Sequence, residues 1–155
     1  MSADGAFPLS RSQFDEIYGR VPRLAVEVLV RTDAGILLTK RGIEPCLGQW
    51  HLPGGTVYFG ESLTAAVRRV ALNELRVVVA VGEQLGYVEY PHLHDGGYRG
   101  WPVGIVFAAD IVEGVPGSSE QTEEVGYFTD LPVNTMVDQA AFLRSLALES
   151  AAGGG

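Results

Sequence analysis

The segment from Ser62 to about Leu75 carries the clearest helical pattern in the chain, and it is the strongest constraint on the fold. It contains no Gly or Pro, and its apolar residues recur at spacings of three and four. Pro53-Gly54-Gly55 and Phe59-Gly60 precede it, so a glycine-containing loop leads into the helix. A helix with one apolar stripe must bury that stripe against another element. We therefore expect this helix to be packed against the strands predicted around it.

Those strands are predicted from runs rich in Val, Ile and Leu on both sides of the helix. They cover residues 24–31, 36–38, 77–81, 85–90, 103–112 and 125–128, with a short strand that begins at Leu52. Two further helices are predicted, at residues 10–18 and 135–149, and the Gly-containing segment 91–101 is predicted to be a mobile loop. Because helices interrupt the strands irregularly, the order favours an α/β (α+β) sandwich with a mixed sheet over a doubly wound parallel sheet.

Size and charge limit the class of protein. The chain has 155 residues, and we expect one domain over residues 1–150 with a flexible tail at 151–155. Eleven Lys and Arg stand against nineteen Asp and Glu, a net charge of −8, which argues against nucleic acid or a membrane surface as a partner. No apolar run reaches the roughly 18 residues of a membrane span. The single cysteine and the absence of a signal-peptide pattern at the start predict a cytoplasmic protein.

One carboxylate on the central helix is a candidate metal ligand. On an α-helix, positions 70, 73 and 74 share one face, because residues three and four apart are neighbours. Carboxylates at these positions would converge on a cation, but the chain has Val70, Asn73 and Glu74 there.

This region resembles the Nudix hydrolase signature, in which a Gly is followed at fixed spacing by a Glu and by a helix rich in Glu. The residues that match are Gly55, Glu61, Arg69, Ala71, Glu74 and Val77, and they follow Trp50-His51-Leu52-Pro53-Gly54, which is also similar to the family. Val70 and Asn73 stand where the signature has Glu, and Arg76 stands where it has Gly. Within the family, the chain is most similar to the GDP-mannose mannosyl hydrolase branch.

The resemblance implies a Nudix-type α/β/α sandwich with a mixed central sheet, and a Mg²⁺ site in which Mn²⁺ is also possible. The implied metal ligands are the carbonyl of Gly54, the carboxylate of Glu74 and the amide of Gln121. Arg41 and Arg69 resemble the cations that neutralise a diphosphate, and Glu27 resembles an acid that orients a base or sugar. Such a protein acts on a small-molecule nucleotide and can form a homodimer. Gly55 and Glu61 belong to the motif as structural residues.

Several alternatives stay open for the remaining roles. Thr122 stands where this branch has a His as general base, which leaves His92, His94 and one of the adjacent pair Glu123 and Glu124 as candidates for that role. Tyr90 is a candidate for stacking on a nucleobase. Glu61 and Arg69 could brace the loop instead of contacting the metal or the substrate.

The predicted function is Mg²⁺-dependent hydrolysis of a nucleoside diphosphate sugar or a similar nucleoside diphosphate derivative. The alternatives are a nucleoside triphosphate pyrophosphohydrolase, or a catalytically impaired module of the same fold that binds a ligand.

Overall fold

The computed structural model describes residues 7–117 and 122–153, and all structural statements below refer to these residues. The elements, in chain order, are α1 (Arg11–Tyr18), β1 (Arg23–Leu29), β2 (Arg31–Thr32), β3 (Gly35–Arg41), β4 (Trp50–His51), β5 (Gly54–Thr56), α2 (Leu63–Val70), β6 (Val78–Glu89), α3 (Pro91–Asp95), β7 (Pro102–Glu113), β8 (Thr122–Phe128) and α4 (Val137–Gly153). Within this part of the chain, no helix has both the length and the apolar character needed to cross a bilayer.

The strands of the described residues form two sheets. The first has the order β5-β1-β7-β6, and it is mixed because β1 runs parallel to β7 while the other pairs are antiparallel. In the second, β3 pairs antiparallel with β2, β4 and β8. The prediction of a mixed sheet is confirmed.

Helices cover both faces of the mixed sheet. Val26 and Val28 of β1 belong to a core cluster with Val67 and Val70 of α2. Leu29 belongs to a second cluster with Leu143 of α4. Since successive residues of a strand point to opposite faces, the two clusters lie on opposite sides of the sheet. The predicted α/β/α sandwich is therefore confirmed.

Two local features differ from the sequence prediction. Residues 91–101, predicted to be a mobile loop, contain the short helix α3. Pro91 stands at its first turn, where a missing N–H costs nothing, and Asp138 of α4 accepts hydrogen bonds from the backbone N–H groups of His92 and Leu93. Residues 78–89 form one strand with register shifts, where two strands were predicted.

The central helix also changes its geometry before it ends. Residues Ala71–Leu75 continue α2 as a π-helical turn, and Arg76 ends it with left-handed backbone angles of φ 59° and ψ 36°. Single π turns inside α-helices are frequent at functional sites. This turn carries Glu74.

Candidate active site

The π turn separates the three positions that were expected to share a face. Val70 is buried, Asn73 is exposed and Glu74 is partly buried. The expectation rested on α-helical spacing, whereas the wider π turn rotates positions 73 and 74 relative to Val70. Val70 packs against strand β5, since a Cβ on Gly55 would lie 3.1 Å from its Cγ2 atom. Glu74 is the one acidic residue of the three positions.

Glu74 is anchored to the strand that precedes the helix. The backbone N–H of Gly54 donates a hydrogen bond to Oε2 of Glu74 over 3.3 Å. Burial raises the pKa of Glu74 to about 7, against the opposing effects of this hydrogen bond and of the charges of Arg41 and Arg69. The structure therefore brings Glu74 to the backbone of Gly54, and the contact is made by the N–H of Gly54, whereas the predicted metal ligand is its carbonyl.

Glu27 is a second buried carboxylate beside the same glycine. It lies on β1 opposite Gly54 of β5, and it is 6% exposed. Its carboxylate fills the space that side chains at Gly54 and Gly104 would occupy. Desolvation raises the pKa of Glu27 to about 8, and the negative charge of Glu74 adds to that rise. Gly54 and Gly55 are thus strand residues at which neighbouring side chains approach the backbone closely. They do not form the turn that the sequence Pro-Gly-Gly suggests.

Tyr90 contacts Glu27 in the core. Its hydroxyl donates a hydrogen bond to Oε1 of Glu27 over 2.7 Å, and its side chain is 5% exposed. A ring buried among core residues is not free to stack on a nucleobase, so the structure corrects the expected role of Tyr90. The Tyr90 hydroxyl in turn accepts a hydrogen bond from Nε2 of Gln139 over 2.8 Å.

Arg69 and Glu61 form a two-point ion pair that closes the loop before α2. Nε and Nη2 of Arg69 donate to the two carboxylate oxygens of Glu61 over 2.8 and 2.9 Å, and Nη2 also donates to the carbonyl of Thr56 over 2.7 Å. The guanidinium lies 3.6 Å from the ring centre of Tyr58. The Arg69 partner holds the pKa of Glu61 below its usual value. This geometry supports the bracing alternative for both residues.

Arg41 lies close enough to the site to act on it electrostatically. Its positive charge lowers the pKa values of Glu74 and His51. Its Nε donates to the carbonyl of Pro45 over 2.5 Å, which holds the guanidinium at the end of β3. Arg41 is therefore placed as a cation near the carboxylate of Glu74.

The histidines proposed as general bases have other partners. Nδ1 of His92 pairs with Asp138 over 2.7 Å, and the ring of His94 packs edge-on against Trp101. The third histidine, His51, contacts the carbonyl of Leu52 through Nδ1, and desolvation lowers its pKa to about 4. The structure does not bring His92 or His94 to Glu74. Gln121 lies outside the described residues, as does the side chain of Glu123.

Sequence reasoning missed Gln139, which is 2% exposed and polar. A signal for it was present, because Gln139 falls within the apolar stripe formed by Met136, just before α4, and by Ala140 and Leu143 on α4. A polar side chain on a helix face that packs into the core must find partners there.

The donors at this site suit a hard divalent cation. Among the described side chains, no three His, Cys, Asp or Glu residues are close enough to form a metal site by themselves. The structure does bring the carboxylates of Glu27 and Glu74 to the backbone of Gly54. Oxygen donors with few protein carboxylates fit Mg²⁺ or Mn²⁺, since Mg²⁺ commonly keeps waters and substrate phosphates as ligands.

Comparison of the sequence with known proteins shows which family the chain resembles. A family model described as the NUDIX domain matches residues 21–142. The chain is 41% identical over 83 residues to the low-salt glycan biosynthesis protein Agl8 of Haloferax volcanii, which covers 54% of this chain and 52% of that protein. It is 34% identical over 107 residues to an ADP-ribose pyrophosphatase of Methanocaldococcus jannaschii, which covers 69% of this chain and 62% of that protein. The chain thus matches between about half and three fifths of the length of these relatives.

A solved structure shows the same fold. The MutT NUDIX hydrolase from Burkholderia pseudomallei has a TM-score of 0.68 and 31% sequence identity, with 78% of this chain and 95% of that chain covered. The family model covers α2, the π turn and every described residue of the candidate site. The sequence match, the common fold and the anchoring of Glu74 at Gly54 lead to one conclusion: the chain belongs to the Nudix family.

Proposed function

We propose that this chain is a divalent-metal-dependent hydrolase of a nucleoside diphosphate sugar or a similar nucleoside diphosphate derivative. The observation that carries the proposal is the position of the Glu74 carboxylate, held at the backbone of Gly54 beside Glu27 and within electrostatic reach of Arg41. Nudix hydrolases generally use divalent metals and act on small-molecule nucleotides. In this chain we assign Mg²⁺ or Mn²⁺ to the Gly54 carbonyl, the Glu74 carboxylate and the Gln121 amide.

We assign each residue of the site a role that follows from its chemistry. A bound divalent cation supplies charge neutralisation and polarisation at the phosphoryl oxygens. Arg41 binds a diphosphate oxygen through its guanidinium. Glu27 accepts a hydrogen bond from a hydroxyl or N–H group of the base or sugar. Arg69 holds the loop in place, because its Nε and Nη2 groups are already bonded to Glu61 and Thr56.

The proton of the attacking water needs a general base. His92 and His94 are engaged with Asp138 and Trp101, and Glu124 is paired with Lys40, which favours Glu123 for this role. Glu123 stands two residues after Gln121, so a ligand and a base would come from the same segment of the chain.

The choice of substrate class has support from a relative. The M. jannaschii protein is named an ADP-ribose pyrophosphatase, and ADP-ribose is itself a nucleoside diphosphate linked to a sugar. The nucleoside triphosphate alternative is weakened by the burial of Val70 and by the amide of Asn73, since neither position offers a further carboxylate.

A cytoplasmic location and a homodimer stay predictions.

A substrate panel tests this proposal. Nucleoside diphosphate sugars and nucleoside triphosphates are incubated with the protein in Mg²⁺, in Mn²⁺ and in a chelator, and products are identified by chromatography. We expect metal-dependent hydrolysis of at least one nucleoside diphosphate sugar. Hydrolysis in ¹⁸O water then shows whether the label enters the sugar or the phosphate, and so which bond breaks.

Two outcomes would contradict the proposal and favour another function. Turnover of triphosphates alone would favour the pyrophosphohydrolase. Thermal stabilisation by a nucleotide sugar that ignores the metal, without turnover, would favour a binding module.

A further inference from the structure

A chain of three buried hydrogen bonds connects the backbone of Leu52 to the carboxylate of Glu27. The N–H of Leu52 donates to Oε1 of Gln139 over 2.7 Å, Nε2 of Gln139 donates to the hydroxyl of Tyr90 over 2.8 Å, and that hydroxyl donates to Oε1 of Glu27 over 2.7 Å. The three side chains are between 2% and 6% exposed. We call these three residues, Gln139, Tyr90 and Glu27, the relay.

The direction of the relay is fixed at its backbone end. A backbone N–H can only donate, so the atom of Gln139 that faces Leu52 must be the carbonyl oxygen. The amide nitrogen of Gln139 then faces Tyr90, and it too can only donate. The hydroxyl oxygen of Tyr90 accepts that bond, which leaves its single proton for Glu27.

This direction distinguishes the two oxygens of Glu27. Oε1 is engaged by Tyr90 and lies nearest to Gly104, whereas Oε2 lies nearest to Gly54, the residue that also bonds to Glu74. Because neither glycine has a side chain, the carboxylate of Glu27 has room between Gly54 of β5 and Gly104 of β7. Oε2 is therefore the oxygen directed toward the candidate metal site.

We propose that Tyr90 and Gln139 are positioning residues, which hold Oε1 of Glu27 so that Oε2 accepts a hydrogen bond from a hydroxyl or N–H group of the substrate. This inference rests on the proposed function, because it assigns Glu27 to the substrate of that site. It also gives the first turn of α4 a role in the site, since that turn carries Gln139.

Two substitutions of similar size to the native residues separate positioning from simple packing. Tyr90→Phe keeps the ring and removes the proton that Glu27 accepts. Gln139→Glu keeps the shape and the acceptor for Leu52. In its ionised form the second carboxylate oxygen can only accept, so the Tyr90 proton turns toward it and leaves Glu27. Tyr87→Phe and Gln84→Glu, at exposed positions of β6, are the matched controls.

We expect each relay variant to raise KM for the nucleoside diphosphate sugar about tenfold while kcat changes less than about twofold. The two controls should leave both constants within about twofold of the wild type. The double variant should match Tyr90→Phe alone, because both changes remove the same hydrogen bond. A fall in melting temperature with unchanged KM in both relay variants would overturn the proposal.

A second measurement does not depend on turnover. In the wild type, proton NMR should show a slowly exchanging Tyr90 hydroxyl proton with nuclear Overhauser contacts to the methylene protons of Glu27. Gln139→Glu should abolish those contacts, and their persistence would overturn the relay. If the wild type hydrolyses no member of the panel, the proposed function fails, and this experiment still decides the positioning of Glu27.

Discussion

Oε2 of Glu74 accepts a hydrogen bond from the backbone N–H of Gly54 over 3.3 Å, which ties the π turn at the end of α2 to strand β5. This contact joins the glycine-containing strand β5 to the helix, the two halves of the Nudix motif, at the point where the metal ligands are assigned.

Replacing Glu74 by Gln tests that assignment. The amide oxygen can still accept from Gly54, so we expect the fold to be kept, while the lost charge lowers metal-dependent kcat/KM by about a hundredfold or more. Glu113→Gln, at an exposed position of β7, should have no effect. Full metal-dependent activity in Glu74→Gln would contradict the assigned metal site.

Gly104→Ala tests the position of Glu27 from the opposite strand. A Cβ at this position would lie 2.6 Å from Oε1 and 2.8 Å from Cγ of Glu27, so the carboxylate must shift. We expect KM for the nucleotide sugar to rise about tenfold, as for loss of a hydrogen bond between Glu27 and the substrate. Gly117→Ala, where a Cβ meets open space, is the control. Equal KM values for the two variants would argue against a substrate contact by Glu27.

Arg69→Lys tests the brace before α2. Lysine cannot reproduce the two-point contact with Glu61 or the flat contact with Tyr58. The paired side chains are 20% and 15% exposed, so the pair is intermediate between a surface and a buried ion pair. We therefore expect the variant to lose about 2 kcal/mol of unfolding free energy, a value between those typical of the two kinds of pair. Arg68→Lys, exposed on the same helix, should cost less than about 0.5 kcal/mol. Urea unfolding measures both, and equal losses would rule out a specific role for the pair.

The parts of the site that sequence could predict are the local ones. Gly55, Glu61, Arg69 and Glu74 lie within one short segment that runs from β5 to the π turn, where spacing along the chain fixes proximity. For the same reason, the sequence could suggest that Glu61 and Arg69 brace the loop instead of contacting the metal or the substrate.

The parts that sequence could not predict depend on tertiary packing. Tyr90 and Glu27 are 63 residues apart, and Gln139 and Tyr90 are 49 apart. The relay therefore exists only once β1, α4 and the junction between β6 and α3, which carries Tyr90, are packed together. The π turn has no propensity signal of its own, which is why positions 70, 73 and 74 were expected on one face.

Arg76→Gly tests the end of the π turn. Arg76 has φ 59°, a left-handed conformation that costs a residue with a Cβ about 1 kcal/mol. Glycine removes this cost but gains freedom in the unfolded state, so we expect a net gain of about 0.5 kcal/mol in unfolding free energy. Arg68→Gly, in the regular part of α2, should lose about 1 kcal/mol. A loss of similar size at both positions would contradict strain at Arg76.

His51 predicts a dependence of stability on pH. Burial lowers its pKa from 6.5 to about 4 in the folded protein, so the unfolded state binds the proton more tightly than the folded state does. The contribution of His51 to stability is therefore unchanged above about pH 7 and falls as pH decreases from 6.5 toward 4. Relative to His51→Asn, the wild type should lose about 2 kcal/mol of unfolding free energy between about pH 8 and about pH 5. Urea unfolding of both proteins at several pH values measures this difference, and the difference between pH 7 and pH 8 is an internal control that should be close to zero. A constant difference down to about pH 5 would show that the folded protein accommodates the protonated ring, and the buried, neutral state of His51 would then be refuted.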